Sequence, residues 1–349
     1  MATKVNLREA PSLKHLQALT TRKGLYQHCR FNEPDKKFGY SIDDNARAIL
    51  VAYQYYERFR NPEVLDMAQI YLNYISRAQT PSGFFHNFAS SSGKFIDVLG
   101  SQDSQGRTIW ALGYIISRQN VNPELAKKAL KILGNFRFDL RMARHDRTKA
   151  FALLGYCYIG DREKVKRIAD KLVEKFKSQE TNSWNWFEDY LTYSNAILPY
   201  SLLMAFELSG IETYKKVALK SLKFLHQKCI VKGIPAPIGQ DGWYRKGKKK
   251  AIYDQQVVDV ADMILAHTKA FELTGEQVYL HWAQMWWSWF GGNNLNDMSL
   301  IDPETHGCYD GLTHNGINLN QGAESIVCYL LSYLAMSKVN TNLEIQTSK

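Results

Sequence analysis

Six short stretches of the chain gather the side chains that could do chemistry: SIDDNAR (Ser41 to Arg47), SQDSQGR (Ser101 to Arg107), RHDRTKA (Arg144 to Ala150), WFEDYLTYSNA (Trp186 to Ala196), YDQQVVDVADM (Tyr253 to Met263) and NQGAES (Asn320 to Ser325). Ser41 and Asp43 suit a helix N-cap, and one such cluster would need no other explanation. Six clusters rich in carboxylates, arginines and amides exceed what capping requires. Where like charges crowd, some carboxyl pKa values rise, while a neighbouring guanidinium such as Arg47 or Arg107 lowers others. Carboxyl groups in different protonation states are what cleavage of a glycosidic bond needs, since one protonates the leaving oxygen and the other activates water. Asp44, Asp103 and Asp189 are the first candidates for this acid and base, with Glu188 next, because they stand at helix starts beside arginine or aromatic neighbours.

The neighbouring residues fit a sugar. Trp184, Trp186 and Tyr193 flank Glu188, and Trp243 precedes Asp254, offering flat apolar faces to a pyranose. Asn195, Gln255, Gln256 and Asn320 are placed to hydrogen-bond its hydroxyls, with Asp43, Arg47, Arg107, Asp254, Asp310 and Glu324 as charged contacts. His28, in the loop GLYQHC, joins this binding set. The competing reading of the tryptophans is core packing. His306, Asp310 and His314 lack metal-ligand spacing, and no GxxxxGK[ST] or strand-led GxGxxG is present, so neither a metal nor a nucleotide cofactor is expected.

These clusters must be positioned by helices. Two kinds alternate along the chain. Residues 62–79, 123–136, 161–178, 211–229 and 275–290 are amphipathic with charged faces; residues 46–59, 108–117, 150–159, 196–208, 257–273 and 323–336 are apolar nearly all round, as a helix buried on every side would be. A polar cluster precedes each of the second kind, at intervals of roughly 40 to 70 residues. Five amphipathic helices plus an N-terminal cover around residues 12–21 would enclose six buried ones. The expected fold is all-α: a closed (α/α)6 toroid of about twelve helices, one domain over residues 1–349, with a short N-terminal lead-in and a polar C-terminal tail from about residue 338. An open solenoid of helical pairs would instead line the clusters along a groove, and the uneven spacing argues against it.

Composition narrows the class. Hydrophobic residues are 45% and charged residues 22%, which is ordinary globular usage. Lys and Arg exceed Asp and Glu by 44 to 34, yet the excess lies on amphipathic helices and in one loop, RKGKKK (Arg245 to Lys250), without any nucleic-acid-binding signature. Neither nucleic acid nor membrane is an expected partner. No secretory leader is recognised, and five scattered cysteines suit free thiols, so the cytoplasm is the expected location.

Taken together, GLYQHC, GYSIDDNARAI, SQDSQGRTIWALGY, WFEDYLTYSNAILPYSLL, YDQQVVDVADM, DPETHGCYDGL and NLNQGAESIVCYLL resemble the six-hairpin glycosidase-like domain found free or fused behind bacterial glycosyltransferases. The resemblance spans residues 24–334. It implies an (α/α)6 toroid that binds or acts on carbohydrate, with inverting hydrolysis as the implied reaction and a separately encoded glycosyltransferase as a functional partner. It does not account for the RKGKKK loop.

A glycoside hydrolase acting on an oligosaccharide is therefore the first expectation. The alternatives are a phosphorylase, a non-catalytic sugar-binding partner of a glycosyltransferase, and a uronate lyase or epimerase using Tyr193 or His28 as base.

Overall fold

The structure is a computed structural model that describes residues 7–137, 139 and 143–347, with side chains described as far as residue 341. Its helices are α1 (Lys14–Leu19), α2 (Ile42–Phe59), α3 (Glu63–Ala78), α4 (Gln102–Ser117), α5 (Pro123–Asn135), α6 (Asp146–Ile159), α7 (Arg162–Gln179), α8 (Ile197–Ser209), α9 (Glu212–Lys228), α10 (Val257–Thr274), α11 (Gln277–Ser288) and α12 (Ala323–Thr347). The even-numbered helices form an inner ring. Each packs on the next, and α12 returns to α2, which closes the ring and disposes of the solenoid. Helices α3, α5, α7, α9 and α11 each cover the inner helix before them, and the short α1 packs on α12, as expected for the N-terminal cover.

The outer helices follow from their amphipathic spacing. In α7, Val165, Ile168, Ala169, Leu172, Val173 and Phe176 are buried along one stripe, while pairs such as Lys166 and Asp170 stay in solvent. Much of the positive charge therefore sits on a solvated outer face. The inner helices are buried all round, Ala46 to Tyr53 of α2 without a break. Gly160, Gly210 and Gly275 end α6, α8 and α10 in the left-handed region (φ 81, 71 and 72°), where a side chain would be strained, and so reverse the chain into the next outer helix.

Three inner helices start earlier than their apolar runs indicate. Ser41 and Ser101 accept hydrogen bonds from the amides of Asp44 and Ser104, so the caps lie one turn upstream and the polar clusters become the first turns of α2 and α4. Capping falls to Ser41, which leaves Asp43 free to pair elsewhere. The expected polar tail is also revised: α12 continues to Thr347, with Val339 buried and Arg58 of α2 bonded to Ser337 and Thr341. Residues 348–349 and the first six residues of the lead-in lie outside the described residues. Among the described residues, no helix is long and apolar enough to cross a membrane.

Helices α4 and α6 touch through glycine. A Cβ on Gly113 would lie 2.3 Å from the Gly155 carbonyl oxygen, and one on Gly155 would lie 2.3 Å from that of Ile109. Backbone cannot yield as a flexible side chain can. Gly155→Ala is expected to cost at least about 1–3 kcal/mol by overpacking; a melting temperature equal to wild type would show that the two helices can separate freely.

Candidate active site

The inner-helix starts converge on one mouth, rimmed by short strands. Tyr40–Ser41 pairs with Phe88–Ala89, Tyr190–Leu191 with Tyr244–Arg245, and Gln255–Gln256 with Gly311–Thr313, which in turn pairs with Gly316–Asn318. Three buried arginines stitch the mouth together. Arg47 Nη2 lies 3.0 Å from Asp44 Oδ1 and 2.8 Å from Glu324 Oε2, joining α2 to α12. Arg107 of α4 pairs with Asp43 at 3.2 Å and lies over the Phe151 ring. Arg147 of α6 holds both carboxylate oxygens of Glu188 (3.2 and 2.9 Å) and donates to Asn195 Oδ1 (2.9 Å) and the Tyr193 carbonyl (2.5 Å).

Most of the expected acid and base candidates are spent on these internal partners. Asp44 is buried, accepts from Ser41 and Arg47, and burial pushes its carboxyl up to about 6 against the pull of Arg47. Asp103 is buried, accepting from Thr148 (2.6 Å) and the Tyr193 hydroxyl (2.5 Å). The Tyr193 hydroxyl is raised by burial and by Asp103. Glu188 is locked by Arg147. Asp189 does not join them: it is exposed in an outer pocket with Lys149, Lys175 and Gln179.

Glu324 differs. Dense surroundings work to raise its pKa, but Arg47 and Arg107 overcome this and hold it below the usual glutamate value. Its side chain is still 41% exposed, because it faces open space in the mouth. That space is a cavity of about 210 Å³ whose wall includes His28, Asp254, Gln255, Gln256, Asp310 and Glu324. Asp310 is the counterpart of Glu324. Burial raises its pKa, against hydrogen bonds from Ser325 Oγ (2.6 Å) and the Gly322 amide (2.7 Å), and its second oxygen is left out of both bonds. His28 is exposed and favours the charged forms of both carboxyls.

Other expected contacts are placed differently. Trp184 and Trp186 are 3% and 0% exposed, packed with Phe224 and Phe187, so they belong to the core and cannot stack on a ligand. Trp243 is half-buried with its ring 6.3 Å from that of Tyr193, an aromatic pair beside the mouth. Gln255 is buried between Trp289 Nε1 and the Ile252 carbonyl. Asn320 fixes the loop after His28 by accepting from the Phe31 amide. Among the described residues, no three His, Cys, Asp or Glu side chains are grouped as metal ligands.

Sequence reasoning passed over Arg147 and the buried aspartates Asp259 and Asp262, one turn apart on α10. The available signal was an i, i+3 pair of charges in the otherwise apolar first half of a helix. Burial drives the Asp259 carboxyl well up and that of Asp262 to about 6, and each has one oxygen with no hydrogen-bond partner among the described residues. Because the folded pKa of Asp262 exceeds its ordinary value of 3.8, the native state binds more protons in that window and loses stability as pH rises through it. Asp262→Asn is expected to stabilise the protein by about 1–3 kcal/mol at pH 7 and to flatten the decline between about pH 4 and 6. Melting curves across that range check it; an unaltered pH profile would assign the titration elsewhere.

No family model and no curated protein matches this chain. Solved structures do match over nearly its whole length. A cellobiose 2-epimerase from Bacillus thermoamylovorans superposes with a TM-score of 0.74 at 13% identity, covering 96% of this chain and 97% of that one. The fold is a six-hairpin (α/α)6 toroid. A D-mannose isomerase has a TM-score of 0.71 at 14% identity, covering 94% and 96%. An inactive variant of an α-1,6-mannanase from Salegentibacter, in complex with α-1,6-mannotetrose, has a TM-score of 0.64 at 13% identity, covering 96% and 100%. The six-hairpin toroid is thus shared by proteins named for sugar epimerisation, sugar isomerisation and glycoside cleavage.

Proposed function

We propose that the protein is a carbohydrate-active enzyme that cleaves a glycosidic bond of an oligosaccharide, with Glu324 as base and Asp310 as acid. The observation that carries this reading is the cavity they share: one carboxyl is held ionised by two arginines, the other is raised by burial, and both face the same space. Environments that push two carboxyls apart are how acid and base roles are divided. Asp254, Gln256 and His28 bind sugar hydroxyls in the same cavity, and Trp243 and Tyr193 continue the surface with aromatic faces. Asp44 and Asp43 act indirectly, by orienting Arg47 and Arg107.

The oligosaccharide-bound mannanase on the same fold supports this substrate class. A second reading is epimerisation or isomerisation of a reducing sugar, favoured by the exposed His28 in the same cavity wall as the two carboxyls and by the epimerase and isomerase among the fold's other members.

Incubating the protein with a panel of disaccharides and aryl glycosides, in D2O, with and without phosphate, separates these. Hydrolysis is expected to release reducing sugar without deuterium at carbon, and without dependence on phosphate. Deuterium exchanged into the carbon beside the carbonyl, with no bond cleaved, would replace hydrolysis by the second reading. Tight binding without either reaction would leave a sugar-binding protein.

A further inference from the structure

The RKGKKK run, which the chemistry of the mouth does not use, sits on a hairpin whose base belongs to the mouth. Gln240 and Asp254 both line the mouth cavity, and the backbone amide of Gln240 donates to the Asp254 carbonyl (2.8 Å). Between them the chain passes Trp243, whose ring neighbours that of Tyr193, and turns where the Lys248 amide donates to the Arg245 carbonyl (2.9 Å). The hairpin is anchored to the rim. Tyr244–Arg245 pairs with Tyr190–Leu191, the Lys246 amide donates to the Asp189 carbonyl (2.8 Å), and the Ala251 amide donates to that of Trp243 (2.9 Å). Lys250 is spent within the protein, donating to the Lys228 carbonyl at the end of α9 (2.7 Å).

The other cations of the run are unanswered. Arg245, Lys246, Lys248 and Lys249 are exposed, and among the described residues none of them pairs with a carboxylate. The same holds for Arg144 and Lys175, in the pocket of about 430 Å³ that Asp189 and Tyr190 share with the start of α6. One sector of the rim thus carries six unpaired cations against two carboxylates that no cation holds, Asp189 and Asp241. Elsewhere on α7 the pattern differs: Lys164, Lys166 and Lys171 pair with Asp161, Asp170 and Glu174. A concentration of one sign of charge attracts a ligand of the other.

We infer that this sector is an outer subsite for an anionic group, a carboxylate, sulfate or phosphate, so that the oligosaccharide taken by the mouth is an acidic one. The inference rests on the reading of the mouth as a sugar site. Extended backbone rises about 3.3 Å per residue, so Arg245 stands roughly 7 Å beyond Trp243. A sugar lying on Trp243 and Tyr193 therefore brings the substituents of the next unit to the hairpin. This continuous path from cavity through aromatic pair to cations favours a saccharide over a nucleic acid, which would use the cations but has no need of a path into the mouth.

The test measures, by calorimetric titration of the full chain, the affinity for cellotetraose and for its derivatives bearing a carboxylate, a sulfate or a phosphate at C6. The three charged arms identify the anion. At about 50 mM salt at least one charged probe is expected to bind at least about tenfold more tightly than cellotetraose, and at about 500 mM salt, where screening is strong, the ratio should fall below about threefold. The fourfold variant Arg245→Ser, Lys246→Ser, Lys248→Ser, Lys249→Ser should bring the ratio to about one, and the pair Arg245→Ser, Lys246→Ser is read in the same way should the fourfold variant not fold. Trp243→Ala should weaken charged and neutral probes alike. The inference is overturned if no charged probe binds more tightly than cellotetraose, or if the fourfold variant keeps the ratio. It is also overturned if Trp243→Ala leaves the charged probes unaffected, or if hexathymidylate binds more tightly than every charged sugar, since the sector would then be a polyanion contact separate from the mouth. Binding is read without turnover. Loss of the hydrolysis reading with the ratio intact would reject the chemistry assigned to Glu324 and Asp310, whereas a ratio of about one with hydrolysis intact would reject only the charge on the substrate.

Discussion

Glu324→Gln is expected to lower turnover by about 10²–10⁴-fold with little change in sugar affinity or melting temperature. Among the described residues, this is the carboxylate that is both held down by buried arginines and open to the mouth cavity. An amide of the same shape keeps a hydrogen bond to Arg47 but cannot take a proton from water. Asp310→Asn should produce a loss of similar size for a different reason, and the difference can be read. A proton donor matters in proportion to how poor the leaving group is. Asp310→Asn should therefore nearly abolish cleavage of a disaccharide while sparing an aryl glycoside with an acidic phenol; Glu324→Gln should impair both alike. The pH profile follows from the same roles. Activity should rise as Glu324 ionises, below its ordinary 4.5, and fall as Asp310 loses its proton, above its ordinary 3.8. Full turnover in either variant would remove that residue from the chemistry. If Asp254→Asn or Asp44→Asn showed the leaving-group dependence instead, the acid would be reassigned to it.

The ring was legible because burial leaves a plain trace: α8 is apolar on every side, whereas α7 alternates stripe and charge, and no tertiary contact is needed to tell them apart. Which cluster residue faces the mouth was less legible. Glu188 and Asp189 are neighbours in a run of bends just before the Tyr190–Leu191 strand, and one is buried on Arg147 while the other lies in solvent. An irregular backbone carries no periodicity from which sequence alone could tell them apart. Trp184 and Trp186 illustrate the same difficulty, since a ring beside a carboxylate reads equally as a sugar platform or as core. Asp310 was legible as a polar residue in a loop, but its role depends on Ser325 and Gly322, which reach it from the start of α12. Glu324 was visible as a contact; what makes it the proposed base is its exposure to the cavity, a property of the folded ring.

Arg147 is expected to be the most costly side chain at the mouth to remove. Arg147→Met would leave Glu188, 7% exposed, without its bidentate partner, and would also strip donors from Asn195 and the Tyr193 carbonyl. Breaking a buried pair from one side costs about 3–5 kcal/mol, because the remaining charge stays desolvated. Removing the charge from both sides should cost less than removing it from one. The double variant Arg147→Met with Glu188→Gln is therefore expected to be more stable than Arg147→Met alone, although two residues have changed rather than one. Denaturant unfolding of the three proteins measures this directly. A double variant no more stable than the single one would mean that the hydrogen bonds to Asn195 and Tyr193, rather than the charge on Glu188, carry the loss. Catalysis gives an independent reading. The Arg147 guanidinium also lies 5.1 Å from the centre of the Tyr193 ring, and Tyr193 is bonded to Asp103, so losing it should loosen this wall of the mouth. The double variant should then recover stability without recovering sugar affinity, because neutralising Glu188 restores nothing that positions Tyr193.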